Sequence, residues 1–444
     1  MNRSRPPADP AAPGLPVLTP DVLIVGGGPA GLSAAAALAP LLPGRVLVLE
    51  REPEAGGAPR HSDHIGFGRR DLRRLLTGPA YARRLTASAR AAGAVIRTRT
   101  TVTDWAGGSD GGGPGAPYAV HATGPDGRFR VEPRAIVLAT GARERSRAAR
   151  LVPGDRPEGI LTGGELRRAV RLRDRPVGRR AVVVGAEPAG WSAALTLRRA
   201  GCRVGLMVSG RTRAEGTPAA LTAGATALLG TPVAHRARIV RIIGRRRVEA
   251  VEIEHLDSGA RRTVTCDTVV LTGDWIPDHE LARAAGLDLD PGTLGPLVDS
   301  ALRTSRPGVF AAGNLVHPAD TAGTAALDGR HIADRVAARL ADPGPEPATG
   351  GARLLAERPF RWVVPGLLRP GDPAPPGGRL LLWSDELRTA PRLVVRHDGR
   401  IVAEHRLPGT VRPGRVLRVP WTVVPASAIR TADPARGPVT VGLC

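Results

Sequence analysis

The segment Val22-Leu-Ile-Val25, followed at once by Gly26-x-Gly28-x-x-Gly31 and the alanine-rich run Ser33–Ala39, constrains this chain more than any other feature. A short unbroken apolar run is the pattern of a strand buried on both faces in a parallel sheet. The glycine turn passes the chain into a helix that Pro40, Pro43 and Gly44 stop. Arg45-Val-Leu-Val-Leu49 then reads as a second buried strand, closed by Glu50, 24 residues after Gly26. The unit recurs. Ala181–Val184 runs into Gly185-Ala-Glu-Pro-Ala-Gly190, a helix to about Ala200 and a strand Val204–Val208, and Ser209 again stands 24 residues after the first glycine. Each copy is followed by a strand that ends in Thr-Gly, at Ala135–Gly141 and Thr268–Gly273. Equal spacings and matching ends predict a duplicated βαβ unit.

The expected fold class is therefore α/β, with two Rossmann-like dinucleotide-binding lobes. A glycine fingerprint between a buried strand and a helix, with an acid at this distance, is the pattern that holds a dinucleotide. Gly26 allows the tight turn, Gly28 lets backbone approach a pyrophosphate at the helix N-terminus, and Gly31 lets helix pack on strand. Glu50 would accept the ribose hydroxyls. In the second copy the middle position is Glu187. At an effective dielectric of ~20, two like charges ~4 Å apart repel by about 4 kcal/mol, nearly a thousandfold in affinity. Ser209 offers no acid to a ribose, although Arg211 and Arg213 lie just beyond. The motif Gly185, Glu187, Gly190, Ser209 thus keeps the shape of a nicotinamide-nucleotide site and loses a central ligand feature.

Composition closes off other classes. All 63 basic residues are arginine, giving a net charge of +22, yet they are scattered along the chain. With 3% aromatic residues there is little to stack on bases, so nucleic-acid binding is not expected. The three cysteines, Cys202, Cys266 and Cys444, form no CxxC and no metal-ligand spacing. Val22–Leu42 is uncharged, but its glycine turn reads as strand, turn and helix rather than a membrane span. A cytoplasmic protein is expected.

Further motifs appear in order: Glu50-x5-Gly56-Gly57, Ala139-Thr140-Gly141 and Gly308-Val-Phe-Ala-Ala-Gly-Asn314. Over roughly residues 20–340 the chain resembles the pyridine nucleotide-disulfide oxidoreductase superfamily of thioredoxin-reductase-like architecture. It is similar in particular to dithiol-less members such as the FAD subunits of hydrogen cyanide synthase and opine oxidase. The resemblance implies FAD, with NAD(P)H in doubt, held by Gly26, Gly28, Pro29, Ala30, Gly31, Glu50, Arg51, Gly57, Val102, Thr140, Gly141, Gly313, Asn314 and Thr321. Asn314 replaces the usual Asp, and its amide oxygen still accepts a ribityl hydroxyl. The helix after Thr321 would aim its N-terminus at the flavin N1–O2 edge. His61 or His64, in the loop after Gly57, or His317, would take a proton as hydride passes to flavin, with Asp63 orienting a histidine. No metal is expected.

The expected domains are a disordered leader 1–19, an FAD-binding domain 20–148 with 290–342, an NAD(P)-binding-like domain 149–289, and a β-rich C-terminal domain 352–444. Locally, Asp71–Ala92 reads as a basic amphipathic helix or helix pair broken at Gly78-Pro79. Val95–Trp105, Tyr118–Thr123 and Phe129–Glu132 read as a meander around the loop Gly107–Pro117. The resemblance implies the FAD subunit of a dehydrogenase that oxidises a small amine, amino acid or hydroxy acid and passes electrons to a partner subunit or carrier. An NAD(P)H-dependent flavin reductase and a non-catalytic FAD-stabilised assembly or electron-transfer subunit remain alternatives, as does homo-oligomerisation.

Overall fold

The computed structural model describes residues 15–106, 118–212, 230–342, 351–430 and 437–444. The loop Gly107–Pro117, Arg213, and most of the leader and of the linker after Asp342 lie outside the described residues. Five helices reach ten residues or more among those described: α1 (Pro29–Leu38), α2 (Gly78–Ala91), α3 (Gly163–Leu172), α4 (Pro188–Arg199) and α5 (Ala322–Ala341).

The first lobe is a parallel sheet of five strands. In spatial order they are Val309–Ala311, Ala135–Leu138, Val22–Val25, Val46–Leu49 and Val95–Arg97. The inner three are buried along their whole length, as their unbroken apolar runs require. Helices α1 and α5 pack together over this sheet. Val95–Arg97 belongs to this sheet and not to the meander, which starts only at Thr101–Trp105 and pairs with Val120–Gly124 and Gly127–Val131. Short strands of like composition carry no label for the sheet they join; tertiary pairing decides it. The leader expectation needs a similar correction at its end, where Val17–Leu18 pairs with Arg130 and Val131 as a further strand. Helix α2 begins at Gly78. Residues 71–75 form no helix: 71–74 are turn and bend, and Leu76–Thr77 pairs instead with Ile65–Phe67.

The second lobe repeats the plan. Its parallel sheet runs Ile160–Thr162, Thr268–Leu271, Arg180–Val184, Arg203–Val208, Val233–Ala234, and a three-stranded antiparallel sheet covers one side. An antiparallel pair, Ala142–Glu144 with Trp275–Pro277, joins the lobes at the two Thr-Gly strand ends. The C-terminal region forms sheets of five and three strands around their own apolar cluster, with a short antiparallel pair, Arg388–Thr389 with Thr410–Val411. Trp362, Val364, Leu381 and Val416 of this unit are also buried in the core of the first lobe, so the two are packed as one body there.

Candidate functional site

The three glycines of the first turn are glycine for different reasons. A Cβ on Gly26 would sit 2.4 Å from the carbonyl oxygen of Ala139, and one on Gly31 would sit 2.0 Å from that of Gly26. Both are packing requirements. A Cβ on Gly28 would meet nothing nearer than Gly57 Cα at 4.0 Å. Packing does not explain this glycine; the space above it at the N-terminus of α1 does, because that is where a pyrophosphate would lie. Gly57, with φ +62°, completes the cradle by bringing its own Cα against Gly28, and Gly56 donates to the Gly27 carbonyl at 2.7 Å. Pro29 and Ala30 start the helix, and Ala30 packs against Gly313.

Glu50 is buried, and its carboxylate accepts from the Gly27 and Glu52 amides at 2.8 Å each. Each oxygen keeps a second lone pair for a ribose hydroxyl. The Thr100 amide donates to the Glu50 carbonyl, which brings Val102 alongside this end of the site. Arg51 reaches the other lobe, 3.2 Å from Asp278. Thr140 donates its hydroxyl to the Asp278 carbonyl at 2.7 Å, and the Asp278 amide returns a bond to Gly141. Asp278 is thus a shared anchor, also paired with Arg143, that sequence reasoning missed.

At the opposite end, Gly313 donates its amide to Asp328 at 2.9 Å, and Asn314 donates its Nδ2 to the Asp320 carbonyl at 3.1 Å. Asn314 Oδ1 is buried with no hydrogen-bond partner. A buried acceptor without a donor costs about 1–3 kcal/mol, and a ribityl hydroxyl would satisfy it. The open space over Gly28 and the orphaned oxygen of Asn314 are the two observations on which the residues present fit FAD. Thr321 caps α5, accepting from the Thr324 amide.

The three histidines separate. His317 is 1% exposed, its Nε2 2.5 Å from Asp328 and its Nδ1 3.7 Å from Asp320. Burial alone would lower its pKa, but the charges of Asp328 and Asp320 and the bond to Asp328 raise it above the usual value. Buried and bonded to the same Asp328 that accepts from the Gly313 amide, this histidine ties the Gly313 turn to α5. His64 is exposed and lies against Phe67. His61 is 8% exposed with Nδ1 unpartnered, and burial, then Arg60 and Arg168, push its pKa down to about 4. It is neutral at neutral pH. Asp63 orients neither of its neighbouring histidines; it pairs with Arg171 at the end of α3 and lies 3.6 Å from Arg199 of α4.

In the second lobe Gly185 and Gly190 keep the turn, with a Cβ on Gly190 only 2.3 Å from the Gly185 carbonyl. Glu187 is the residue before α4. Its Oε1 accepts from the Thr272 hydroxyl at 2.7 Å, and both oxygens lie 2.6 Å from a Cβ position on Gly185. The carboxylate therefore folds against Gly185, Thr272 and Gly273 at the mouth of the second turn, where the first lobe has Gly28 and no side chain. Arg150 braces the same strand end, donating to the carbonyls of Thr272 and Gly273 at 3.0 and 2.7 Å. Ser209 is turned to its own backbone, accepting from the Arg211 amide at 3.3 Å.

Cys202 and Cys266 are buried, and burial followed by the charge of Asp267 pushes each thiol up to about 11. All three cysteines are free, and the described residues hold no cluster of metal-ligating side chains. No described helix is long and apolar enough to cross a membrane.

Two duplicated lobes, one with an open glycine turn and an unpartnered buried acceptor at Asn314, define a two-lobed dinucleotide-binding fold. Residues 20–329 match the family model described as pyridine nucleotide-disulphide oxidoreductase. The chain belongs to that family of FAD-dependent oxidoreductases. It is 28% identical over 342 residues to the A subunit of opine oxidase from Agrobacterium tumefaciens (strain Ach5), covering 72% of this chain and 65% of that protein. It is 31% identical over 245 residues to the anthranilate 1,2-dioxygenase system ferredoxin–NAD(+) reductase component of Burkholderia cepacia, covering 51% and 54%. The chain thus spans less than two thirds of the length of either curated relative. Thioredoxin reductase of T. acidophilum shares the fold, with a TM-score of 0.59 at 22% identity over 73% of this chain and 99% of that one. L-proline dehydrogenase from P. horikoshii does so with a TM-score of 0.54 at 17% identity, covering 74% and 57%.

Proposed function

We propose that the chain is the FAD-bearing subunit of a dehydrogenase that oxidises a small amine, amino acid or hydroxy acid and passes the electrons to a partner, without a redox disulfide. The observation that carries this reading is the Glu187 carboxylate folded against the second glycine turn, in a molecule whose two buried thiols are held protonated. With neither nicotinamide nor dithiol, the substrate has to supply the electrons directly. Likeness to the A subunit of opine oxidase supports a role as one component of a larger enzyme.

Gly26–Gly31 and Glu50 would hold the adenosine diphosphate half, and Gly57, Thr140, Gly141, Gly313, Asn314 and the start of α5 the riboflavin half. FAD bound there supplies a two-electron acceptor. The chain's own contribution is to orient and to move protons. Neutral His61, with an unshared Nδ1, takes the proton that leaves the substrate's N–H or O–H. The α5 N-terminus, capped by Thr321, would stabilise negative charge on a reduced flavin held beside it. Arg69, Arg73 and Arg74, exposed beside largely exposed Ile65 and Leu75, offer an acidic partner a docking face next to the flavin loop.

The test is anaerobic. FAD-loaded protein mixed with amines, amino acids and hydroxy acids should bleach with at least one of them, and His61→Asn should slow that bleaching by about 10²-fold or more. Absence of bleaching with every member of the panel contradicts the reading. A flavin reductase drawing on NAD(P)H is the second reading; the preserved Gly185–Gly190 turn and the likeness to a ferredoxin–NAD(+) reductase component favour it.

A further inference from the structure

A cavity of about 460 Å³ opens between the first lobe and the C-terminal unit, lined by Arg70, Thr410, Arg412, Arg415 and Arg418 with the apolar edges of Val411, Val416 and Leu417. It contains four guanidinium groups. None of its described lining residues is acidic.

Two of its arginines reach the first turn of α5. Arg418, projecting from the strand Val416–Pro420, donates to Asp320 and, at 3.3 Å, to the hydroxyl of Thr324. Arg70 comes from the other side: its Cβ lies 3.1 Å from where a Cβ on Gly323 would be. Neither Arg70 nor Arg415 has a side-chain partner among the described residues. Arg418 is 15% exposed, and its Nε is buried without a partner. The carboxylate that Arg418 meets, Asp320, is shared with His317. Positive charge is therefore concentrated on a concave surface, with the guanidinium groups of Arg70 and Arg415 left without a counter-charge among the described residues. Burial, and then the charges of Arg70 and Arg415 against only Asp320, lower the pKa of Arg418, as expected where cations crowd.

Such crowding costs free energy unless an anion completes it. Guanidinium forks match carboxylate and phosphate oxygens in paired, charge-assisted bonds, and the volume is that of a small-molecule site. We propose that this cavity binds a small dianion, a dicarboxylate or a phosphate monoester, and thereby selects the anionic class of substrate presented to the α5 end of the flavin site. The word substrate rests on the dehydrogenase reading above; the binding itself does not.

The test is isothermal calorimetry on the full-length, FAD-loaded protein at constant ionic strength, with succinate, inorganic phosphate, propionate and uncharged succinamide as probes. We expect saturable binding of succinate or phosphate at millimolar concentration or below. Propionate should bind at least tenfold more weakly and succinamide not at all. The tighter of the two dianions names the source: succinate a dicarboxylate, phosphate a phosphate ester. Arg70→Gln with Arg415→Gln should weaken binding about tenfold per arginine; both side chains are exposed and unpartnered, so flavin content and melting temperature should be retained. Arg415→Gln alone provides a second variant. Failure of both dianions to bind saturably, or binding unchanged in the double variant, overturns the proposal. The two readings fail separately. Protein that binds succinate yet bleaches with no substrate keeps the site and loses the dehydrogenase, whereas bleaching by a neutral amine with no dianion binding does the reverse.

Discussion

Gly28 and Glu187 occupy the same place in two copies of one turn, and the chemistry of the lobes diverges there. Over Gly28 there is room for a side chain and nothing to fill it. Gly28→Val should therefore fold and lose FAD, read as colourless protein with an unchanged apo-protein circular dichroism spectrum. Gly31→Ala, by contrast, drives a methyl into the Gly26 carbonyl and should cost about 1–3 kcal/mol by overpacking, seen as a lower melting temperature of the apo-protein. Glu187→Gly removes the carboxylate from the second turn and should tighten NADPH binding at least tenfold by calorimetry; equal affinity in both proteins would show that the carboxylate does not guard the turn. His61 has a pH signature. Its folded pKa of about 4 lies below its unfolded value near 6.5, so it contributes stability fully present above pH 6.5 and lost as pH falls towards 4. His61→Asn should flatten the melting temperature across that window, while His317, shifted the other way, keeps its contribution at low pH and loses it as pH rises through its raised folded value.

Helix α3 of the second lobe also meets the first lobe through two ion pairs near the loop after Gly57. Arg168 pairs with Glu52 at 2.7 Å and Arg171 with Asp63, all four partly exposed. Pairs of this kind contribute about 0–1 kcal/mol, enough to bias a lobe and too little to hold a fold. Glu52→Gln with Asp63→Asn should leave the melting temperature within a few degrees and speed FAD release severalfold, followed by flavin fluorescence after dilution; a large fall in melting temperature would instead make these pairs part of the fold's foundation. At this scale the sequence was partly legible. The βαβ units and the helix Ala322–Ala341 announce themselves through unbroken apolar runs, glycine turns and a threonine cap, which are local signals. Residues 71–75 carry an amphipathic spacing but form no helix, because the chain must bend back for Leu76–Thr77 to pair with Ile65–Phe67. Asn314 could be placed from its motif; Asp278 and Arg418 could not, since Arg418 meets Asp320 across 98 residues and nothing local marks it.

The whole molecule carries +22 with its cations on many faces, so its field acts on encounter more than on shape. If Arg69, Arg73 and Arg74 steer an acidic partner, turnover with the native acceptor should fall steeply with salt, as the Debye length shortens from ~10 Å at 0.1 M to ~3 Å at 1 M. Replacing these three with Gln, and leaving Arg70 in place, should reproduce high-salt turnover at low salt without changing reduction by a small neutral substrate. Unaltered salt dependence would leave the three arginines as solvated surface. The central claim concerns where the electrons enter, and one measurement addresses it most directly. FAD-loaded wild-type protein is mixed anaerobically with NADH and with NADPH in a stopped-flow instrument. The predicted result is a flavin band that stays oxidised on the timescale of turnover with both nucleotides; rapid bleaching at micromolar nucleotide would contradict the account and make the second lobe a working nicotinamide site.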